Sequence, residues 1–260
     1  MPIIRLVNVH KFFGKKHVLK GVNLEIEEKK TTVILGPSGT GKSTVIKHMV
    51  GLLKPTSGEV WVEGINVATA TEEEIYAIRK KVGFLFQSGA LFDSMTIYDN
   101  TAFPLREHTK LSEKEIEIEV RKRLEMVGLK FDEVAHLYPD ELSGGMQKRA
   151  GLARTIIMNP EIILYDEPTS GLDPITSDLI SKMILKLQYE LGTTSVVISH
   201  DIKESFKIAD KMAMIYDGKI IAYGDPSFFK TTDNPIIRKF IDGISDIDID
   251  IKILKKRDAT

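Results

Sequence analysis

The sequence predicts an α/β domain with a mainly parallel sheet, a smaller antiparallel β lobe and a helical insertion. Short β-branched runs alternate with amphipathic helical segments, which is typical of parallel strands joined by helices. Four of these runs are apolar almost throughout, as strands covered on both faces usually are, and they span residues 32–35, 82–86, 162–165 and 195–198. These runs predict the central sheet.

Other runs alternate between apolar and polar residues and predict the antiparallel lobe. They span residues 3–9, 22–26 and 59–62. Later in the chain, residues 212–216 and 219–222 flank the dipeptide Asp-Gly, which strongly favours a β-hairpin. We therefore expect an antiparallel pair after the parallel strands.

Helix start and stop signals lie between these runs. The S/T-x-x-E pattern of a capping box occurs at residues 71–74 and 112–115. Asp173, followed by proline, opens another predicted helix, and Gly192 ends it. Residues 88–157 carry no central-strand signal, so we expect a helical subdomain there, inserted in the core.

Composition narrows the class of protein. Hydrophobic residues make up 42% and charged residues 28% of the 260 residues, which excludes a disordered or collagen-like chain. No apolar run reaches the roughly 20 residues of a membrane-spanning helix, and the start of the chain lacks a signal-peptide core, so we expect a cytoplasmic protein. The absence of cysteine excludes disulfides and thiol catalysis. A formal net charge of −1 argues against nucleic acid as a partner.

Residues 36–43 fit the phosphate-binding pattern G-x-x-x-x-G-K-[ST], with a predicted strand before them and a predicted helix after them. Glycines in such a loop let backbone N–H groups surround phosphate oxygens at the positive end of the helix. Lys42 would reach the β- and γ-phosphates, and the Ser43 hydroxyl would ligate Mg²⁺. The predicted nucleotide-binding residues of this segment are Gly36, Pro37, Ser38, Gly39, Thr40, Gly41, Lys42, Ser43 and Thr44.

A second apolar strand ends in two acids, Asp166 and Glu167. In P-loop enzymes an aspartate at this place holds Mg²⁺, and the next carboxylate can orient the attacking water. A strand that simply ends in solvated acids is common. The P-loop in the same chain is therefore what favours a catalytic interpretation of these two residues.

Ser143, Gly144 and Gly145 precede another predicted helix. A serine cap, free N–H groups and the helix dipole make such a turn a second anion site. Phosphoryl transfer needs charge stabilisation beyond the P-loop, often from a group supplied in trans. The turn lies in the predicted helical subdomain, and it could close onto the nucleotide of a second copy.

Together these landmarks resemble, over nearly the whole chain, the ATP-binding cassette (ABC) ATPases. The stretch LSGGM is similar to the LSGGQ signature of that family, and the other landmarks occur in the family's order. The resemblance implies a P-loop NTPase fold with a RecA-like core. It also identifies four further landmarks. Phe13, 29 residues before Lys42, would be the aromatic residue that stacks on adenine, and Gln87 would be the Q-loop glutamine. The D-loop would end in Asp173, and His200 would be the switch histidine.

The resemblance also implies roles at the catalytic centre. Glu167 would polarise the attacking water, while His200 would hold the water and the γ-phosphate in line. Gln87 would reach both Mg²⁺ and the water. The implied catalytic set is Glu167, His200, Gln87 and Lys42, and the implied metal ligands are Ser43, Gln87 and Asp166.

One residue departs from the family pattern. Met146 stands where the signature usually has glutamine, and a thioether cannot supply the hydrogen bond of an amide. The signature residues expected to act in trans are therefore Ser143, Gly144 and Gly145.

Residues 84–93 and the following DNTAFPLREHT closely resemble the ATPases paired with MCE-type lipid carriers, the Mla (toluene-tolerance) group. That similarity implies phospholipid transport by two ATPase copies beneath a permease dimer, with an MCE substrate-binding protein and a small STAS-domain protein as further partners. The chain would then lie on the cytoplasmic side of the inner membrane. Two alternatives stay open: the ATPase of a small-solute importer, and a soluble scaffold ATPase of the Fe-S assembly type.

Two segments remain outside these motifs. One is residues 90–109, where we otherwise expect a loop. This segment contains an apolar cluster, which is the candidate contact with the permease: Leu91, Phe92, Met95, Ile97 and Phe103. Some of these side chains would instead be buried in the core of the helical subdomain.

The other is the end of the chain. We expect an ATPase domain over residues 1–243 and a tail over residues 244–260. Alternating isoleucines predict a strand in the tail, which would dock on the neighbouring subunit or fold back on its own.

Overall fold

The computed structural model describes residues 2–244, which form two sheets and ten α-helices. The strands are β1 (Pro2–Phe13), β2 (Lys16–Glu27), β3 (Thr31–Leu35), β4 (Ser57–Val62), β5 (Ile65–Asn66), β6 (Val82–Leu85), β7 (Ile162–Asp166), β8 (Thr194–Ile198), β9 (Lys211–Tyr216) and β10 (Lys219–Gly224). The helices are α1 (Lys42–Met49), α2 (Glu72–Lys81), α3 (Ile97–His108), α4 (Glu113–Met126), α5 (Phe131–Val134), α6 (Gly144–Ile156), α7 (Pro174–Leu191), α8 (Ile202–Ile208), α9 (Pro226–Thr231) and α10 (Pro235–Ile241).

The central sheet has the strand order β10-β9-β3-β8-β7-β6. All neighbouring pairs are parallel except the β9–β10 hairpin. Every residue of β3, β7 and β8 is buried, which confirms that their apolar runs are central strands. Because parallel strands end at the same edge, the segments that follow β3, β7 and β8 meet there, which is where open α/β sheets bind ligands.

The second sheet is antiparallel, with the order β2-β1-β4-β5, and confirms the predicted lobe. Its inner face packs with α1 and one face of the central sheet into one apolar core. The opposite face of the central sheet packs with α3, α4, α6 and α7 into a second core. The central sheet therefore separates two cores, and the turn between β1 and β2 comes beside the start of α1.

The helices begin at the caps that the sequence marks. Both capping boxes form, at Thr71 before α2 and at Ser112 before α4. The carboxylate of Asp173 caps α7, and Gly192 ends that helix with a φ of 63°. Residues 88–157 contain α3 to α6 and a short 3₁₀-helix, Pro139–Glu141, with no strand among them.

The expectation of a loop over residues 90–109 was wrong for its second half, which is α3. The Thr96 hydroxyl accepts a hydrogen bond from the Asp99 N–H and caps this helix. Ile97 and Leu105 are buried along one face. Pro104 lies inside α3 and interrupts the helical pattern in the sequence, but burial of the apolar face stabilises the helix nevertheless. The predicted tail strand lies outside the described residues, apart from Ile244.

Candidate active site

The P-loop joins β3 to α1 and curls tightly around the start of the helix. Gly36 has a φ of 150°, and a Cβ there would lie 2.2 Å from the Ile215 carbonyl oxygen, so only glycine fits. Gly41 caps α1 in the left-handed conformation, with a φ of 104°. Within the loop, the Thr40 hydroxyl donates a 2.9 Å hydrogen bond to the Pro37 carbonyl. This geometry is that of an anion-binding loop at a helix N-terminus.

Lys42, the first residue of α1, is 5% exposed. Its Nζ donates hydrogen bonds of 2.8 Å and 2.9 Å to the carbonyl oxygens of Gly36 and Pro37. Burial lowers the pKa of Lys42, and the carboxylates of Glu167 and Asp166 oppose that change. The ammonium is thus held inside the loop, next to the space that phosphates would occupy.

A cavity of about 310 Å³ opens over the P-loop. Phe13, at the end of β1, and Glu167 both line it. The neighbouring Phe12 instead stacks on His17, with ring centroids 3.9 Å apart. The structure therefore brings Phe13, not Phe12, to the P-loop. The other lining residues are Lys16, Val18, Ser38, Gly39, Gly41, Lys42, Ser43 and Thr44.

Two oxygen donors meet where β7 ends. The Ser43 hydroxyl donates a 2.8 Å hydrogen bond to Asp166 Oδ1, although 123 positions separate the two residues in the chain. Asp166 is 8% exposed, and burial raises the pKa of its carboxyl group above the ordinary value, while the Ser43 hydrogen bond opposes the rise. A hydroxyl and a carboxylate at this distance form a pair of hard oxygen ligands.

Glu167 carries the second carboxylate in a backbone conformation that is rare for its type, with a φ of 50°. Its N–H donates to the Ile198 carbonyl at 3.0 Å, which anchors the turn to β8. Its Oε2 lies 3.3 Å from His200 Nδ1 and accepts a 3.4 Å hydrogen bond from Gln87 Nε2. The structure thus gathers the three predicted side chains around one carboxylate oxygen, and Gln87 points to Glu167 rather than to Asp166.

The Ser143 turn is built as a capped helix start. The Ser143 hydroxyl accepts a hydrogen bond from the Met146 N–H, and α6 begins at Gly144. These residues are absent from the lining of the P-loop cavity and lie instead against the start of α7, where a Cβ on Gly145 would come within 2.5 Å of Thr176. The side chain of Met146 packs against the apolar core.

Asp173 also lies at the start of α7, where it is the N-cap residue. Its carboxylate accepts hydrogen bonds from the N–H groups of Ile175 and Thr176 and from the Thr176 hydroxyl. Those bonds hold its pKa below the ordinary value, and the hydroxyl of Thr176 makes the largest contribution. The Ser143 turn and Asp173 therefore form one surface beside α7, outside the P-loop cavity.

Two lysines of this region were not among the predicted site residues. Lys16 lines the P-loop cavity from the start of β2. Lys148, on α6, is buried and donates a hydrogen bond to the carbonyl oxygen of Ser170. Neither stands in a motif, and no local pattern distinguishes them from the other lysines of the chain.

A P-loop after β3, a buried aspartate at the end of β7 and a glutamate beside a histidine define a P-loop nucleoside triphosphatase with an inserted helical region. The sequence profile of the ABC transporter family matches residues 19–170. The chain belongs to the ABC transporter family, and it is an ATP-hydrolysing subunit of a transporter.

Two relatives cover most of the chain. The intermembrane phospholipid transport system ATP-binding protein MlaF of Escherichia coli K12 is 42% identical over 233 residues, which are 90% of this chain and 86% of that protein. The probable ribonucleotide transport ATP-binding protein mkl of Mycobacterium leprae is 42% identical over 240 residues, which are 92% of this chain and 69% of that protein. The mkl protein of Mycobacterium tuberculosis is matched over 66% of its length.

Solved structures give the same result. The dimeric, post-hydrolysis structure of the ATP-binding cassette MJ0796 bound to ADP and Pi superposes with a TM-score of 0.79 at 35% identity. That similarity covers 86% of this chain and 98% of the cassette. As an ABC ATPase, the chain therefore binds ATP. Within residues 2–244, no helix has both the length and the apolar character needed to cross a membrane.

Proposed function

We propose that this chain is the ATPase subunit of a phospholipid transporter and hydrolyses ATP at two composite sites between two copies of itself. The observation that carries this proposal is the separation, within one chain, of the P-loop cavity from the surface of Ser143 and Asp173. Each surface is half of a phosphoryl-transfer site. A second copy, turned to face the first, would place the Ser143 turn over the nucleotide.

The oxygen donors fit Mg²⁺. This ion is usually held by one or two protein carboxylates together with substrate phosphates and water. Ser43 and Asp166 supply two hard oxygen atoms, and residues 2–244 contain no group of three or more histidine, cysteine or acidic side chains that would favour another metal. Bound there, Mg²⁺ would neutralise charge on the phosphate oxygens.

Groups of the protein bind the nucleotide and activate the attacking water. Backbone N–H groups of the P-loop and the Lys42 ammonium bind the phosphates, while Phe13 packs against the base. Glu167 accepts a proton from the attacking water as the new bond to phosphorus forms. His200 Nδ1 lies 3.3 Å from Glu167 Oε2 and orients that carboxylate. Gln87 orients it as well, by donating a hydrogen bond to the same oxygen.

A groove of about 570 Å³ lies beside α3 and supports a permease contact there. Phe92 is 44% exposed in it, with its ring edge against Phe103 at 5.2 Å, and the Arg154 guanidinium lies 5.5 Å from the Phe92 centroid. Leu91 and Ile97 face the core instead. We propose that this apolar, cation-edged groove receives a helix of the membrane subunit.

Phospholipid as the cargo rests on similarity to the Escherichia coli relative and on the Mla-like residues 84–93. The name of the mycobacterial relative points to ribonucleotides, but the chain covers less of that protein. In this proposal the partners are a permease dimer, an MCE-type substrate-binding protein and a STAS-domain protein. The chain would work at the cytoplasmic face of the inner membrane through the permease.

The test is purification of the tagged protein from gently solubilised membranes, followed by reconstitution of the complex. We expect an integral permease to co-purify, and ATP-dependent transfer of phospholipid between labelled liposomes. Phe92→Asp should remove the permease without removing the ATPase activity. Phe228→Asp, at a phenylalanine of equal exposure on α9, is the matched control and should retain it. Recovery of cytosolic proteins alone would favour a scaffold ATPase.

A further inference from the structure

Lys148 is a buried cation beside the catalytic centre that the proposed mechanism does not use. It lies on α6, five residues after Ser143, and is 7% exposed. A lysine is rarely buried to this extent unless it has a partner. The partner is the carbonyl oxygen of Ser170, which accepts a hydrogen bond from Nζ. Ser170 lies in the segment between β7 and α7.

The start of α6 also contacts the first turn of α7, which directly follows this segment. A Cβ on Gly145 would lie 2.5 Å from the Thr176 methyl group, so the glycine backbone touches the first turn of α7. Thr176 is in turn bound by Asp173. The Ser143 turn and the segment from Ser170 to Asp173 are therefore tied to each other within one chain, by close packing and by the Lys148 hydrogen bond.

Ser170 is also tied to the catalytic centre. Its hydroxyl accepts a 3.2 Å hydrogen bond from Gln87 Nε2, and the same Gln87 nitrogen is 3.4 Å from Glu167 Oε2. The Ser170 N–H donates to the Glu167 carbonyl at 3.1 Å. Ser170 therefore accepts one hydrogen bond from Lys148 through its carbonyl oxygen and another from Gln87 through its hydroxyl.

We propose that Lys148 is a positioning residue that couples the two ATP sites. The proposal rests on the dimer proposed above, in which the Ser143 turn contacts the nucleotide of the second copy while Gln87 and Glu167 act on the chain's own nucleotide. Closure of the turn on one nucleotide is then transmitted through Lys148 and Ser170 to the carboxylate at the other. Each site aligns its catalytic glutamate only when the opposite site holds ATP.

The local electrostatics suit this role. Burial lowers the pKa of Lys148, and the charge of Glu167 opposes that change. A change in the position of Glu167 therefore alters the field at the ammonium, and the reverse is equally true, because coupling between two groups is reciprocal.

The experiment compares ATP hydrolysis by the full-length protein with that of Lys148→Met, Lys148→Arg and Ser170→Ala. For Lys148→Met we expect maximal turnover to fall roughly 10- to 100-fold, as for loss of a hydrogen bond from a charged group. The Hill coefficient for ATP should fall towards one, and the Kd for a fluorescent ATP analogue should not change. Lys122→Met, at an exposed lysine of α4, is the control and should match the wild type.

Rescue separates coupling from a purely structural role. Arginine at position 148 can donate to the same carbonyl, so Lys148→Arg should restore cooperative hydrolysis. Ser170→Ala removes only the Gln87 acceptor and should reduce the Hill coefficient in the same way, and its combination with Lys148→Met should be non-additive. Wild-type turnover and cooperativity in Lys148→Met, or additive effects in the double variant, would overturn the coupling role. Hydrolysis by a wild-type monomer, with a Hill coefficient of one, would overturn the composite sites of the proposed function, and the coupling with them.

Discussion

The hydroxyl of Ser43 donates a hydrogen bond to the buried carboxylate of Asp166 across 2.8 Å. This contact joins the first turn of α1 to the end of β7, and it defines the point where the P-loop meets the acidic strand end. The ordering of strands in the central sheet makes the contact possible, because β3 and β7 both flank β8 and end at the same edge.

Replacing Asp166 separates its catalytic contribution from its effect on stability. Burial raises the pKa of Asp166, so at neutral pH the folded protein carries a charge that is less favourable there than in the unfolded chain. This destabilisation is absent at low pH, where both states are protonated, and develops as the pH rises through the unfolded-state and then the folded-state pKa. We expect Asp166→Asn to lose Mg²⁺-dependent hydrolysis and to show an equal or higher Tm without nucleotide at pH 7.

The Tm difference between wild type and Asp166→Asn should shrink as the pH is lowered towards the ordinary carboxyl range. Calorimetry of both proteins at several pH values measures it. A variant that is less stable than the wild type at pH 7 would show that the Ser43 hydrogen bond outweighs the desolvation of the carboxylate.

The Glu167→Gln variant should still bind ATP but should hydrolyse it far more slowly. The amide keeps the shape of the side chain but cannot accept the proton of the attacking water, and a general base contributes about 10²- to 10⁴-fold to the rate. We expect kcat to fall by this amount and a nucleotide-bound dimer to accumulate on gel filtration with ATP. Glu190→Gln, at an exposed acid on α7, is the control. Turnover close to the wild-type rate would remove Glu167 from the catalytic role.

The two signature glycines should respond differently to alanine. A Cβ on Gly145 would meet Thr176 at 2.5 Å, whereas a Cβ on Gly144 would meet only Leu172, at 4.0 Å. Gly145→Ala is therefore expected to lower stability by about 1–3 kcal/mol through overpacking. Gly144→Ala should leave the Tm unchanged yet reduce ATP hydrolysis, because it adds a methyl group to the turn that we propose to contact the nucleotide of a second copy.

Denaturant titration and phosphate release measure the two effects on the glycine variants. Normal hydrolysis by Gly144→Ala would argue against a contact of this turn with nucleotide. An unchanged Tm for Gly145→Ala would show that Thr176 can move aside at no cost.

Phe13 and its neighbour Phe12 provide a matched test of whether an aromatic ring stacks on the adenine base of ATP. Both are partly exposed, at 47% and 42%, but only Phe13 lines the P-loop cavity, while Phe12 stacks on His17. Stacking of a base on an aromatic ring contributes about 1–3 kcal/mol, so Phe13→Ala should raise the KM for ATP roughly 5- to 100-fold with little change in kcat. Phe12→Ala should leave KM unchanged. Equal effects of the two changes would mean that Phe13 acts through the hairpin and not through the base.

Much of the fold could be predicted because the signals are local. The apolar runs of β3, β7 and β8, the capping boxes of α2 and α4 and the hairpin at Gly218 each depend on a few neighbouring residues. The helix α3 could not, because Pro104 interrupts its pattern and only burial of its apolar face against α4 and α6 stabilises it. Local propensity is a weak guide where tertiary packing decides.

The P-loop, the acids at the end of β7 and the family of the protein can be recognised from the amino-acid sequence, because in those places the chemistry requires certain residue types at adjacent positions. The packing of the folded chain, in contrast, brings Phe13 and not Phe12 to the P-loop cavity, and it brings Gln87 to Glu167, 80 positions away. The same packing places the Lys148 ammonium at the carbonyl oxygen of Ser170, 22 positions further along the chain. These contacts depend on strand order and helix packing, which bring together side chains that no spacing in the sequence relates.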